Sequence, residues 1–140
     1  MKECIIVRHG HDVVGQLSSV GKKQIEALVP KLKPYINGKR VRMICSRENR
    51  AHDSGKILAE NFNVPLELNG ELNPPTRYNL GWAEHYGGGV DVLIIIAHHD
   101  TCRYLPEDYA KKFQLRDFGT LDNGQACVVD FETKKLTRIP

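Results

Sequence analysis

The chain has 140 residues, 41% of them hydrophobic and 26% charged, which is ordinary for one soluble globular domain spanning residues 1–140. No apolar run approaches the roughly 18 residues of a membrane-spanning helix, and the formal charge of +3 is too small to indicate nucleic-acid binding. The first residues show no export signal, so we expect a cytoplasmic protein without membrane or nucleic-acid partners. The four cysteines form no CxxC pair, and we expect them to be reduced core residues.

Strands and helices are expected to alternate in the first half of the chain. Residues 2–7 form a continuous run rich in β-branched apolar residues, which predicts a buried strand. A helix is expected from a cap at Ser18 or Ser19 to Leu32, and Pro30 should kink or shorten it. The elements predicted next are a strand at 41–45, a helix at 49–62 and a short strand at 66–68.

The second half begins with a stretch rich in proline and glycine, residues 69–89, which is either a functional loop or hides a short helix. Residues 91–97 are the most apolar segment and predict a central strand. A helix over 101–113 with a break at Pro106 should follow. The chain closes with two predicted strands that form a hairpin, at 125–131 and 135–139. This pattern predicts an α/β three-layer sandwich with a mostly parallel central sheet.

Polar side chains follow three of the predicted strands, at the sheet edge where α/β proteins bind their ligands. The basic residues at these strand ends are Arg8, His9, Arg47, Arg50, His98 and His99. Guanidinium groups match phosphate oxygens in pairs, and they lower the pKa of a nearby histidine, whose nitrogen can then attack phosphorus. We therefore predict an anion pocket with a nucleophilic histidine. Gly10 should let the backbone turn closely under the bound group and leave its amide free to donate.

Four segments resemble, in the same order, the motifs of the histidine phosphatase superfamily, which includes the phosphoglycerate mutases. The segments are IVRHG at 6–10, LSSVGKKQ at 17–24, SRENRAHDSG at 46–55 and AHHDTCR at 97–103. Gly55 stands where the family usually has alanine. The short chain and its ELNP segment are most similar to the small single-domain branch that includes bacterial phosphohistidine phosphatases.

The resemblance implies a phosphoglycerate mutase-like fold and a phosphatase that needs no metal or other cofactor. It implies that His9 accepts the phosphoryl group as a phosphohistidine intermediate. Arg8, Arg50 and His98 would hold the phosphoryl oxygens and stabilise the transition state, and we add Gly10 and His99 as phosphate-binding residues. The expected partner is a phosphorylated small molecule or a phosphoprotein.

The proton donor is the main departure from the family pattern. Many members protonate the leaving oxygen with an acidic residue, and the corresponding position here is Pro74. Glu71 and Asp100 are candidate substitutes, and Glu84 is a third. Breaking a P–N bond to imidazole needs less proton donation than expelling an alkoxide. The substrate is therefore hypothesised to be phosphohistidine, another phosphoramidate or a phosphoanhydride.

Two other functions remain open at the level of sequence. A relative that kept the pocket and lost turnover would bind phosphate without catalysis. A metal-dependent hydrolase would instead use histidine and carboxylate pairs as ligands. Those pairs are His9, His11 and Asp12, then His52 and Asp53, then His98, His99 and Asp100. His11 could otherwise alter substrate choice at the pocket mouth or lie in a solvated loop.

Overall fold

A computed structural model describes residues 1–75 and 79–140 of the chain. Its strands are β1 (Glu3–Arg8), β2 (Asp12–Val13), β3 (Gln16–Leu17), β4 (Val41–Cys45), β5 (Leu66–Leu68), β6 (Val92–Ala97), β7 (Ala126–Asp130) and β8 (Lys135–Ile139). Its helices are α1 (Ser19–Ile36), α2 (Asn49–Phe62), α3 (Leu80–Gly87) and α4 (His99–Lys112), with a 3-10 turn at Gly70–Leu72.

Six strands form the central sheet, in the order β5-β4-β6-β1-β7-β8. The pairs β5/β4, β4/β6 and β6/β1 are parallel, and β7 and β8 add an antiparallel hairpin at one edge. The predicted mostly parallel sheet with a closing hairpin is confirmed. This topology places the carboxyl ends of β4, β6 and β1 side by side.

The two faces of the sheet are covered by different helices. Alternate residues of a strand point to opposite faces, so Ile5 packs in the cluster that contains buried residues of α1 and α2, whereas Ile6 packs with residues of α3 and α4. All six residues of β6 are buried, as expected for a strand covered on both faces. The predicted three-layer sandwich is confirmed. Within the described ranges, no helix has the length and apolarity needed to cross a bilayer.

Helices α1 and α4 continue through proline. α1 begins after Ser18, whose hydroxyl accepts the Gly21 N–H at 3.0 Å, and it runs past Pro30 to residue 36. α4 starts at residue 99 and contains Pro106 without ending there. The prediction that Pro106 breaks α4 is wrong, and so is the prediction that Pro30 shortens α1. The alternative that Pro30 kinks α1 stays a prediction. Each helix buries a continuous apolar face, and this burial outweighs the lost backbone hydrogen bond.

The segment between β5 and β6 hides the short helix that was one of its two expected forms, since α3 lies within residues 69–89. Sequence patterns did not predict the small hairpin of β2 and β3, which directly follows the RHG segment. Its turn consists of Val14 and Gly15, both with positive φ, at 50° and 78°. The hairpin brings Asp12 to the edge of the sheet where β1 ends.

Candidate active site

The neighbouring ends of β4, β6 and β1 surround a cavity of about 430 Å³. Four of the residues predicted for catalysis line it together: Arg8, His9, Arg50 and His98. The imidazole centroids of His9 and His98 are 5.1 Å apart. The structure thus joins side chains that are separated by up to 90 residues in sequence.

His9 presents an unprotonated nitrogen in this cavity. Its Nδ1 lies 2.7 Å from the Gly10 carbonyl oxygen, and Arg50 Nε donates to its Nε2 at 3.3 Å. Because a guanidinium nitrogen only donates, Nε2 must accept, and the proton belongs on Nδ1. Burial is the main cause that lowers the pKa of His9, and Arg50 and Arg8 add to this against the opposing effect of the Gly10 carbonyl. The ring is therefore neutral, and its unprotonated Nε2 can attack phosphorus once the Arg50 Nε–H turns from Nε2 to a phosphoryl oxygen.

His98 is held by a chain of hydrogen bonds that ends on Asn73. Arg47 N–H donates to Asn73 Oδ1 at 2.8 Å, which identifies that atom as the oxygen. The Ser46 hydroxyl donates to the same oxygen at 2.8 Å, so Ser46 Oγ accepts from His98 Nε2, also at 2.8 Å. The proton of neutral His98 is therefore on Nε2.

The other nitrogen of this ring, His98 Nδ1, is buried and has no hydrogen-bond partner among the described residues. Burial lowers the pKa of His98 to about 3, with His9 and Arg50 as the next causes. Nδ1 is thus the unprotonated acceptor of a ring that lines the cavity. A bound anion would favour a proton there, because protonated Nδ1 can donate to an anion oxygen.

The two cavity arginines supply positive charge that no carboxylate of the described residues neutralises by direct pairing. Arg8 Nη1 donates to the Leu121 carbonyl at 2.7 Å, and its buried Nε has no partner in the described part of the chain. Neither Arg8 nor Arg50 forms an ion pair with a described side chain. Fixed guanidinium donors beside two neutral imidazoles favour binding of an oxyanion.

Gly10 has a packing role in place of the expected free amide. Its N–H donates to Ser54 Oγ at 3.0 Å, so the prediction of a free donor is wrong. A Cβ at Gly10 would lie 2.5 Å from the Gly21 carbonyl oxygen, which only glycine avoids. The residue thus lets the end of β1 approach the start of α1. Gly10 does not line the cavity, and its role as a phosphate ligand stays a prediction that has lost the free amide on which it was based.

The carboxylates proposed as proton donors lie in different places. Asp100 lines the cavity, whereas Glu71 and Glu84 do not, and Glu84 accepts from Lys112 Nζ at 3.0 Å. Asp12 also lines the cavity, and its Oδ2 accepts the Gly15 N–H at 3.2 Å. Sequence reasoning did not assign Asp12 to the proton donors. Its position directly after the RHG segment was the available signal, but its orientation depends on the unpredicted hairpin.

Of the other histidines near the RHG segment and β6, one lines the cavity and one does not. His99 lines the cavity, and about half of its side chain is exposed. His11 does not line it, because its Nδ1 lies 2.7 Å from the hydroxyl of Ser18 at the start of α1. The described residues include no group of three or more His, Cys, Asp or Glu side chains placed to hold a metal ion. Several of the ligands considered for a metal hydrolase line the same cavity, but no three of them in this part of the chain are placed to hold one ion.

Comparison with known proteins identifies the fold. No family model and no curated protein matches the chain. A SixA protein from Agrobacterium tumefaciens, assigned as a phosphohistidine phosphatase, matches with a TM-score of 0.75 at 12% identity, over 99% of this chain and 95% of its own. The protein histidine phosphatase SixA in complex with tungstate matches with a TM-score of 0.74 at 20% identity, over 98% and 96%. The chain has the histidine phosphatase fold.

Other structures with the histidine phosphatase fold differ in the substrate for which they are named. A mycobacterial glucosyl-3-phosphoglycerate phosphatase in complex with VO3 matches with a TM-score of 0.63 at 13% identity, over 99% of this chain and 96% of that one. All three matches extend over nearly the whole chain, as the resemblance of four separate segments implied. The fold leaves the substrate open, since function depends on the site that a fold presents.

Proposed function

We propose that this chain is a metal-independent phosphatase that works through a phosphohistidine intermediate on His9. The single observation that carries the proposal is the state of His9, whose Nε2 accepts a hydrogen bond from Arg50 while its other nitrogen is engaged by the Gly10 carbonyl. In the first step the Nε2 lone pair forms a bond to phosphorus, and the bond to the leaving group breaks with its electron pair. In the second step water attacks phosphorus, the N–P bond breaks, and phosphate leaves with the lone pair restored to Nε2.

The positive groups around His9 account for stabilisation of the transferring phosphoryl group. Charge spreads over its equatorial oxygens during transfer, and fixed donors aimed at those oxygens lower the barrier. Arg8 and Arg50 supply guanidinium donors, and His98 supplies a donor once its Nδ1 is protonated. Asp12 and Asp100 are the carboxylates at the cavity that can give a proton to the leaving group and take one from water.

Phosphohistidine or another phosphoramidate is the substrate class that we propose, on a protein or a small molecule. The support is chemical, since an imidazole leaves from phosphorus with less proton donation than an alkoxide. It is also comparative, because two SixA proteins share this fold over nearly the whole chain. We propose a cytoplasmic setting because all four cysteines are buried free thiols, the state that a reducing compartment maintains.

The choice of leaving group gives the first test. We expect kcat/KM for phosphohistidine to exceed that for an alkyl phosphate such as glycerol phosphate by about 100-fold or more, since only the alkoxide needs a strong general acid. Steady-state rates of phosphate release measure both. Equal or faster cleavage of the alkyl ester would contradict the substrate class. Tungstate binding without turnover of any substrate would identify a phosphate-binding relative that lacks catalysis.

Protonation of His98 gives a second test, with tungstate as the probe. Burial lowers the pKa of His98 to about 3, so the ring is neutral near neutral pH. A dianion beside Nδ1 raises this pKa, and binding should therefore take up about one proton and weaken about tenfold per pH unit as pH rises. Calorimetry in buffers of different ionisation enthalpy measures the uptake.

A matched variant separates His98 from the other charged groups that face it, namely His9, Asp12, Arg8 and Arg50. His98→Gln keeps a side-chain donor that does not titrate, and we expect it to bind tungstate with little proton uptake. Uptake that persists in His98→Gln would assign the proton to another group. Absence of uptake in the wild type would contradict the tautomer deduced from Ser46 and Asn73.

A further inference from the structure

The tip of the β2–β3 hairpin exposes two adjacent valines. Val13 is 58% exposed and Val14 is 95% exposed. The stretch from residue 13 to residue 17, VVGQL, contains no charged side chain. Single exposed apolar residues need no explanation, but an uncharged apolar tip next to a functional cavity marks a contact surface.

Val14 is also in an unfavourable backbone conformation. Its φ is 50°, in the left-handed region that disfavours β-branched side chains most strongly. Two-residue hairpin turns of this kind favour asparagine followed by glycine. Four non-glycine residues of the described ranges have positive φ, and Val14 is the only one of them with a β-branched side chain. Neither turn stability nor solubility explains this residue, and strained positions concentrate at functional sites.

The hairpin tip lies beside the cavity. Asp12, which begins the hairpin, lines the cavity, and a Cβ at Gly15 would lie 3.9 Å from Arg50 Nη1. Val14 itself is not among the lining residues. A phosphoryl group bound at Arg50 therefore need not touch Val14. The polypeptide on either side of a phosphorylated residue extends beyond the cavity and can contact the neighbouring tip.

We propose that Val13 and Val14 form a docking surface for apolar residues that flank the phosphorylated side chain of a protein substrate. The inference rests on the proposed phosphatase function and deepens it, because it selects a phosphoprotein over a free phosphorylated metabolite. An apolar tip without charge fits an apolar segment better than an acidic or basic one. The unfavourable φ of Val14 lowers the stability of the fold, and the contact with the substrate accounts for its presence.

The experiment uses three substrates: free phosphohistidine, and two phosphohistidyl peptides that differ only in leucine or serine on both sides of the phosphorylated residue. We expect the wild type to prefer the leucine peptide by about tenfold in kcat/KM, the gain from burying one aliphatic side chain. Val14→Asn should remove most of this preference. The same variant should raise the thermal midpoint, because asparagine tolerates positive φ.

Lys134 provides the matched control. It has φ of 55° in the turn between β7 and β8 and does not line the cavity. Lys134→Asn relieves a similar conformation away from the site, so we expect it to raise the thermal midpoint and leave the peptide preference intact. The comparison separates docking from a general effect of turn stability.

Other outcomes would overturn the proposal. If Val14→Asn still preferred the leucine peptide as strongly as the wild type, the docking proposal would be refuted and the phosphatase function would stand. If Val14→Asn lowered kcat/KM for free phosphohistidine as much as for the leucine peptide, the tip would contribute to the reaction and not to docking. A wild-type dimer that Val14→Asn dissociates, seen by sedimentation, would make the tip a self-association surface. No turnover of any of the three substrates by the wild type would refute the phosphatase function, and the docking proposal with it.

Discussion

Replacing His9 with alanine is expected to lower kcat by about 10⁴-fold or more, because the substitution removes the atom that forms the bond to phosphorus. The rate is measured as phosphate release from phosphohistidine and from an aryl phosphate. His52→Ala is a suitable control, since this histidine lies on α2 and does not line the cavity. We expect it to leave kcat unchanged.

Loss of activity in His9→Ala must be separated from loss of structure. His9 is 5% exposed, and its ring contacts the Gly10 carbonyl. His9→Asn keeps a side-chain amide that can donate to a carbonyl oxygen, but it has no nucleophilic ring nitrogen. A folded His9→Asn protein with wild-type turnover would contradict the assignment of the nucleophile.

Arg50→Ala is expected to lower kcat/KM by about 10³-fold, because Arg50 has two functions in the proposed reaction. Its guanidinium faces the phosphoryl group, and its Nε–H donates to His9 Nε2 and so selects the reactive tautomer. Arg50→Lys retains the charge without the planar fork and should recover only a small part of the rate. Steady-state kinetics on phosphohistidine measure all three proteins.

Arg47 is the matched control for this prediction. It precedes α2 and is exposed, and its side chain does not line the cavity. We expect Arg47→Ala to change kcat/KM little. If Arg50→Lys were as active as the wild type, positive charge alone would be sufficient, and the hydrogen bond to His9 would have no part in catalysis.

The fold was predictable to the extent that local patterns determined it. β4, α2 and β5 have the predicted bounds. An apolar-rich run in β4 and a helical repeat in α2 meet clear polar ends, and Pro65 and Asn69 flank the short β5. The β2–β3 hairpin was not predicted because its first turn residue is Val14. A two-residue turn of this kind is normally signalled by asparagine, which tolerates positive φ, whereas valine disfavours it. The expected end of α1 and the expected break in α4 were wrong because proline disfavours a helix interior only locally. The packing of each helix against the sheet outweighs that local preference.

The site was predictable in its composition but not in its hydrogen bonds. Parallel strand ends brought His9 and His98 together, as the alternation of strands and helices implied. The partner of the Gly10 amide is a hydroxyl 44 residues away in sequence, and no local pattern reveals such a pairing. The tautomer of His98 likewise depends on Ser46 and Asn73, whose alignment exists only in the folded chain.

The most direct test of the account is detection of the phosphoenzyme itself. The protein is incubated briefly with ³²P-labelled phosphoramidate, quenched in base, digested and examined by mass spectrometry. We predict a base-stable, acid-labile phosphoryl group on the peptide that contains His9, with no label in His9→Ala. Turnover that proceeds without any such label, or with the label on another residue, would contradict the covalent mechanism.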